Sequence, residues 1–255
     1  MTIRRAPLPP DFAPPVCDTP PAALGRVARP PHPLFGAGFA AVLGAALGFG
    51  AIGEPAAAPL ALGVACLAAC GCLAGIVHFL DGTAWHHVAV KLGLVRPRGR
   101  WLVVAGLAST PALGAVIQAR IRAADPSQGG LEVAVAIAVG IAGAAWIETL
   151  SRGYAFRSCM GRHRFVIAAS ASAIVSLLAT LPFVLAPARD PSHVALALAL
   201  ELPLSMSLAA LVWRAGSILP ALGIRCALLA ACLLTETIWP LAPAALIAWI
   251  ASTRD

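Results

Sequence analysis

Charged residues are scarce in this sequence. Only 11% of its 255 residues are Asp, Glu, Lys or Arg, whereas a soluble domain carries roughly 25%. Hydrophobic residues make up 60% of the chain, and the mean hydropathy is +0.86. One core cannot bury that much apolar surface, which excludes an ordinary soluble enzyme, a disordered protein and a secreted disulfide scaffold. The composition predicts an all-α fold, a polytopic bundle of membrane-spanning helices.

Lysine is also rare in this sequence, and asparagine is absent. Lys91 is the one lysine, asparagine does not occur, and every other basic residue is an arginine. A net charge of +7 is compatible with nucleic-acid binding. Here, however, the basic residues are dispersed between apolar runs, which is the pattern that sets orientation in a membrane. We therefore expect the lipid bilayer as a partner and no nucleic acid.

The cysteines do not predict a disulfide framework. There are seven, an odd number, and no Cys-x-x-Cys occurs. Cys17 and Cys159 lie outside the apolar runs described below, and the other five lie inside them. Small buried hydrophobes are the favoured interpretation.

A polar cluster ends the second apolar run. Its members are His78, Asp81, His86 and His87. Histidines beside an aspartate can bind a metal, but polar residues are also common where a span meets water. Because no second cluster completes a site, we expect no metal and no cofactor.

The chain divides into a tail and a membrane domain. Residues 1–33 hold ten prolines, which predicts a disordered cytoplasmic tail. Residues 34–255 are expected to form the transmembrane domain, with most runs near the ~20 residues that cross a bilayer as a helix. We identify eight apolar runs, the last of them short: 34–53, 57–80, 101–118, 131–150, 165–186, 194–213, 217–235 and 238–251.

The basic residues support eight spans. With the N-terminus in the cytoplasm, 14 of the 18 Lys and Arg residues fall on the inner side. Arg120, Arg122 and Arg189 fall outside, and Arg225 lies within a span. This asymmetry is typical of a multi-pass membrane protein. We expect an integral protein of a bacterial inner (plasma) membrane with both termini cytoplasmic.

Ionisable residues inside the predicted spans are the strongest functional signal. They are Glu148, Glu201 and Arg225, with Arg152 just past the end of the fourth run. Each such charge costs about 2.5–3.5 kcal/mol at the bilayer centre, so each needs a partner or a wet cavity. Glu148 and Arg152 are four residues apart and can pair on one helix face.

Glu201 and Arg225 are expected to pair across two helices. Counted from the inner ends of their runs, their depths differ by about 6 Å at 1.5 Å per residue, which a long arginine side chain spans. The alternative is two unrelated charges that face a cavity or reach the interface.

Two stretches together resemble a known family. Residues 146–157, WIETLSRGYAFR, resemble the first motif, E-E-x-x-x-R, of the CPBP family, the CAAX prenyl endopeptidases and bacteriocin-processing or Abi proteins. Residues 211–222, LVWRAGSILPAL, resemble the lead into that family's third motif. The resemblance covers about residues 131–235 and implies a membrane helical core.

The family resemblance also implies a chemistry. Family members are intramembrane endopeptidases in which a glutamate and two histidines activate a water, and the catalytic positions retained here are Glu148 and Arg152. The other positions depart from the pattern. Ile147 replaces the first glutamate, Phe183 and Arg225 replace the histidines, and Leu229 replaces the asparagine or aspartate. Arginine does not act as a base in a protein.

These departures favour a catalytically inactive relative. It would use an intramembrane cavity to hold a hydrophobic or lipidated peptide or a partner membrane segment. The cavity would be lined by Glu148, Arg152, Glu201 and Arg225. One alternative is a divergent active endopeptidase that uses Glu148 with a relocated histidine. Another is a small transporter or a structural subunit of a membrane complex.

Overall fold

The structure is a computed structural model, and it describes residues 58–79, 82–122, 129–160, 163–184, 191–235 and 240–253. The proline-rich tail predicted for residues 1–33 and the first apolar run, 34–53, lie outside this range. So do Cys17 and Asp81.

The described part of the chain is helical and contains no strand, which confirms the all-α class. The fourth helix changes type along its length: it is α-helical over Gly129–Glu148, π-helical over Thr149–Phe156 and α-helical again over Arg157–Met160. We call this whole helix α4. The others are α1 Ala58–Phe79, α2 Trp85–Lys91, α3 Gly99–Arg122, α5 Phe165–Val184, α6 Pro191–Ala215, α7 Leu219–Thr235 and α8 Leu241–Thr253.

Five of these helices are long and apolar enough to cross a membrane, which indicates an integral membrane protein. Large apolar side chains are exposed on their outer faces, such as Val64 at 67% and Val103 at 63%, as expected of surfaces that face lipid. The spans are Pro59–Phe79, Gly99–Gln118, Glu132–Met160, Phe165–Val184 and Val194–Ala215. The apolar helices Leu219–Thr235 and Leu241–Ala251 are shorter.

The seventh apolar run begins as a turn rather than as a helix. Gly216 has a φ of +71°, and its N–H donates to Val212 O at 2.9 Å, which ends α6. Ser217 then accepts a hydrogen bond from Leu219 N at 3.2 Å, as a residue capping a helix N-terminus does. The helix of this run therefore starts at Leu219 and is shorter than the 217–235 run.

The fourth helix extends ten residues beyond the predicted end of its run at residue 150. Arg152, which follows the last residue of that apolar run, therefore lies inside α4 and is fully buried. The apolar run stops there because the next side chains are polar, but neighbouring helices supply partners for them. The helix α2 is also absent from the sequence prediction, which treated its residues as loop.

Helix α4 is central to the packing. It contacts α1 and α7, and its π-helical part contacts α5. Helix α7 also packs on α3, and α6 packs on both α5 and α8. Gly140 makes the α4–α7 approach close, since a Cβ there would lie 3.0 Å from Cys226 O and 3.2 Å from Ala230 Cβ. The charged residues lie where α4, α5, α6 and α7 meet.

Candidate functional site

Four charged side chains meet in the interior of the bundle. Glu148 and Arg152 come from α4, Glu201 from α6 and Arg225 from α7, and none is more than 2% exposed. Two acids and two bases balance to zero net charge. Such burial is tolerated only when each charge is paired and hydrogen-bonded. We call these four residues the charge cluster.

The best-formed pair joins α6 to α7, as the depths of the two residues predicted. Arg225 Nη1 donates to Glu201 Oε2 at 2.5 Å, and Nη2 donates to Glu201 Oε1 at 2.7 Å. These two parallel bonds form a bidentate arginine–carboxylate pair, the strong geometry for this interaction.

Glu148 is shared by both arginines. Its Oε1 accepts from Arg152 Nη1 at 2.9 Å, the expected pairing along α4, and from Arg225 Nε at 3.2 Å. The second contact joins α4 to α7 and was not predicted. Within the described residues, Glu148 Oε2 and Arg152 Nε have no hydrogen-bond partner.

Hydroxyl groups complete the cluster. Ser176 on α5 donates to Glu201 Oε1 at 2.8 Å and accepts from Arg152 Nη1 at 3.0 Å and Arg225 Nη2 at 3.1 Å. Ser205 donates to Glu201 Oε1 at 2.6 Å, and its backbone oxygen accepts from Arg152 Nη2 at 3.1 Å. Ser176 therefore links all the arginines of the cluster to α5.

Sequence reasoning missed these serines, although a signal for them exists. Ser172, Ser176 and Thr180 are four residues apart on α5, and Glu201 and Ser205 are four apart on α6. That spacing puts hydroxyl groups on one face of each helix. A polar face on an otherwise apolar span indicates an interior partner.

The π-helical part of α4 carries Arg152 and Ser151. Ser151 Oγ accepts from Arg152 Nη1 at 2.8 Å and donates to Ile147 O, while Ser151 O accepts from Ser172 Oγ at 2.9 Å. Single π-helical turns are frequent at functional sites. Here the segment Thr149–Phe156 is buried throughout.

A short stretch after α2 packs directly on this π-helical part. A Cβ at Gly153 would lie 2.5 Å from Leu92 O, so only glycine allows the approach. Gly93 follows with a φ of +80°, a conformation that glycine adopts readily. Arg157 Nη1 donates to Val90 O at 2.9 Å and so satisfies a carbonyl at the end of α2.

The same stretch is tied to the start of α7. Ile218 N donates to Gly93 O at 3.1 Å, and Ser217 Oγ donates to Val95 O at 2.6 Å. We call residues 92–95 the clamp segment. It connects the π-helical part of α4 to the N-terminus of α7.

The other two positions named from the resemblance lie beside the cluster. A Cβ at Gly143 on α4 would lie 2.5 Å from Phe183 Cζ and 3.0 Å from Leu229 Cδ1. Both side chains are buried. They also line a cavity whose other walls include Glu201 and Arg225.

This cavity has a volume of about 30 Å³. Since a buried water needs roughly 10–15 Å³ of such volume, it accommodates about two waters. Glu201 and Arg225 line it, whereas Glu148 and Arg152 are not among its lining residues.

The histidines near the end of α1 have different surroundings, and His86 and His87 are exposed. His78 Nδ1 donates to Thr83 O at 2.8 Å, and the ring stacks on Trp85 at 4.2 Å between centroids. The rings of His86 and His87 lie 4.0 Å apart. Among the residues described, no group of three or more His, Cys, Asp or Glu side chains is placed to hold a metal.

The chemistry available to the cluster follows from its partners. Within the described residues, Glu148 accepts hydrogen bonds from two arginines, and Glu201 accepts from one arginine and two serines. An arginine donates and does not accept a proton. The arrangement therefore joins α4, α5, α6 and α7 through charge-assisted hydrogen bonds, and Glu148 Oε2 is the carboxylate oxygen of the cluster that has no partner within the described residues.

Comparisons with protein-family models, with curated proteins and with solved structures find no match for this chain.

Proposed function

We propose that this chain is a CPBP-like integral membrane protein without the family's catalysis, which binds a hydrophobic or lipidated peptide or a partner membrane segment. The proposal includes eight spans with both termini in the cytoplasm of a bacterial cell. The inner-side excess of basic residues, 14 of 18, supports that topology.

One observation carries the proposal. The residues at the family's motif positions come from α4, α5 and α7, yet they meet at one buried place. Arg225 Nε lies 3.2 Å from Glu148 Oε1, and Phe183 and Leu229 both border the site of a Cβ at Gly143. If this chain shares the family's core, the motif positions on these three helices are expected to meet in this way.

The groups at those positions argue against hydrolysis. Water activation needs an acceptor that takes up a proton and a polar group that stabilises the oxyanion. Phe183 and Leu229 offer neither, and Arg225 cannot serve as a base. Glu148 accepts from two guanidinium groups through its Oε1, so this oxygen serves to bind arginines.

A binding role places the partner at the mouth of the cavity. The cavity lies near the ends of α5 and α7 and the start of α8, where Val184, Cys232 and Leu241 line it. A volume of about 30 Å³ is too small for a peptide. The partner segment would lie across these helix ends and insert one small apolar group.

Site-specific photocrosslinking in membranes tests this proposal. A diazirine amino acid replaces Cys232, which lines the cavity, and the same amino acid at Ile174 is the control, since that side chain is 56% exposed on α5. We expect a discrete crosslinked species from position 232 and not from position 174. Ala197 also lines the cavity, so Ala197→Trp should abolish the crosslink.

Glu148→Gln separates binding from catalysis. A binding protein keeps its crosslink in this variant, provided that the variant remains folded by thermal unfolding. An intramembrane endopeptidase yields a cleaved product that disappears in Glu148→Gln. Such a product, or a crosslink that is insensitive to Ala197→Trp, would overturn the proposal.

A further inference from the structure

A groove lies between α3 and α8, on the surface of the bundle and away from the charge cluster. Its volume is about 380 Å³, within the ~300–1,000 Å³ range of small-molecule sites. Val104 and Leu107 form one wall and Ile247 and Ile250 the other. From residue 101 to residue 107 the apolar wall on α3 extends about 9 Å at 1.5 Å per residue.

One end of this α3–α8 groove is polar. Arg100 and Trp101 line it, and the Arg100 guanidinium lies over the Trp101 ring, 4.9 Å from its centroid. Trp101 is only 5% exposed, and its indole Nε1 has no hydrogen-bond partner within the described residues. The groove therefore combines an exposed cation and an apolar wall.

The charge around the polar end has one sign. Arg96, Arg98 and Arg100 are all exposed, and they occupy alternate positions over residues 96–100, where α3 begins. The N-terminus of α3, at Gly99, adds the partial positive charge of the helix dipole. An anion with an apolar chain complements both ends of the groove.

We propose that the α3–α8 groove binds an anionic phospholipid of the surrounding bilayer. The phosphate is held by Arg100, and an acyl chain lies along Val104, Leu107 and Ile250. Basic pockets between membrane helices at the cytoplasmic side bind anionic headgroups in this way, and the sequence predicts this end of α3 to be cytoplasmic. The binding does not depend on the function proposed for the charge cluster.

Native mass spectrometry of the full-length protein tests the site. Phosphatidylglycerol and phosphatidylcholine with identical acyl chains are titrated into the detergent-solubilised protein, and the bound fraction of each is measured. We expect phosphatidylglycerol to be preferred. Arg100→Gln should weaken its binding about fivefold, since each arginine near an anionic lipid surface contributes about that factor.

Arg164→Gln is the matched control. Arg164 is also an exposed arginine at the start of a helix, α5, but it does not line the groove. Phosphatidylglycerol binding should be unchanged in this variant. Equal losses in Arg100→Gln and Arg164→Gln would show general surface attraction and overturn the site.

A further variant tests the apolar wall. Ala251 also lines the groove, and Ala251→Phe should reduce the binding of both lipids. The site would be overturned by equal binding of the two lipids to the unmodified protein. Competition by glycerol phosphate alone, or a change of oligomeric state in Ala251→Phe, would overturn it too.

Discussion

Replacing Arg225 with methionine removes the residue that joins three elements of the bundle. Its guanidinium makes two bonds to Glu201, one to Glu148 and one to Ser176. With Arg225→Met, one arginine and two glutamates remain, so a neutral buried cluster acquires a charge of −1. Breaking a buried pair in this way costs about 3–5 kcal/mol of unfolding free energy.

Adding Glu201→Gln to Arg225→Met restores neutrality. Glu148 and Arg152 then remain as a pair, and the glutamine carbonyl at position 201 still accepts from Ser176 and Ser205. The double variant should therefore lose less than the sum of the two single variants. For directly contacting residues we expect a coupling of roughly 0.5–3 kcal/mol, at the upper end because the pair is bidentate.

Unfolding in mixed micelles with increasing denaturing detergent, followed by tryptophan fluorescence, measures these free energies. Arg164→Met is the control, because Arg164 is exposed and surface substitutions stay within about 0.5 kcal/mol. If the two single losses add without coupling, Glu201 and Arg225 do not interact and the geometry of the cluster is wrong.

Other predictions concern the elements that position the cluster. Gly153→Ala should cost about 1–3 kcal/mol in the same assay, because its Cβ meets a backbone carbonyl of the clamp segment at 2.5 Å. Gly223→Ala is its control: it lies in α7 with no atom within 4 Å of a Cβ, and should stabilise by about 0.4–1 kcal/mol. Ser217→Ala should cost about 1–2 kcal/mol and increase hydrogen exchange at Ile218 N, since the bond to Val95 O is lost. An unchanged exchange rate there would refute the role of the clamp segment.

The helical class and the members of the charge cluster could be predicted from the sequence. Apolar runs near span length favour helices because a bilayer leaves backbone groups no other partner. The Glu201–Arg225 pair was predicted by counting residues from the inner end of each span. That count gives the depth of a residue in the membrane from the sequence alone.

Contacts that depend on helix order around the bundle could not be predicted. Depth alone does not say which helices are neighbours, so the bond from Arg225 to Glu148 was missed. The extension of α4 to Met160 was missed because its polar residues find partners only after α5 and α6 have packed. The clamp segment was missed for the same reason: Gly93 and Gly153 look like ordinary glycines until their neighbours are known.

The arrangement of Glu148, Glu201 and Arg225 is tested most directly by solid-state NMR in lipid bilayers. Carbon–nitrogen recoupling detects glutamate carboxyl carbons that lie close to arginine side-chain nitrogens, as they do in an ion pair. The Glu201→Gln variant identifies which of the signals belong to Glu201. We predict correlations from Arg225 to both glutamates and from Arg152 to Glu148. A Glu148 carboxyl that correlates with a histidine ring and not with Arg225 would contradict the closed charge cluster.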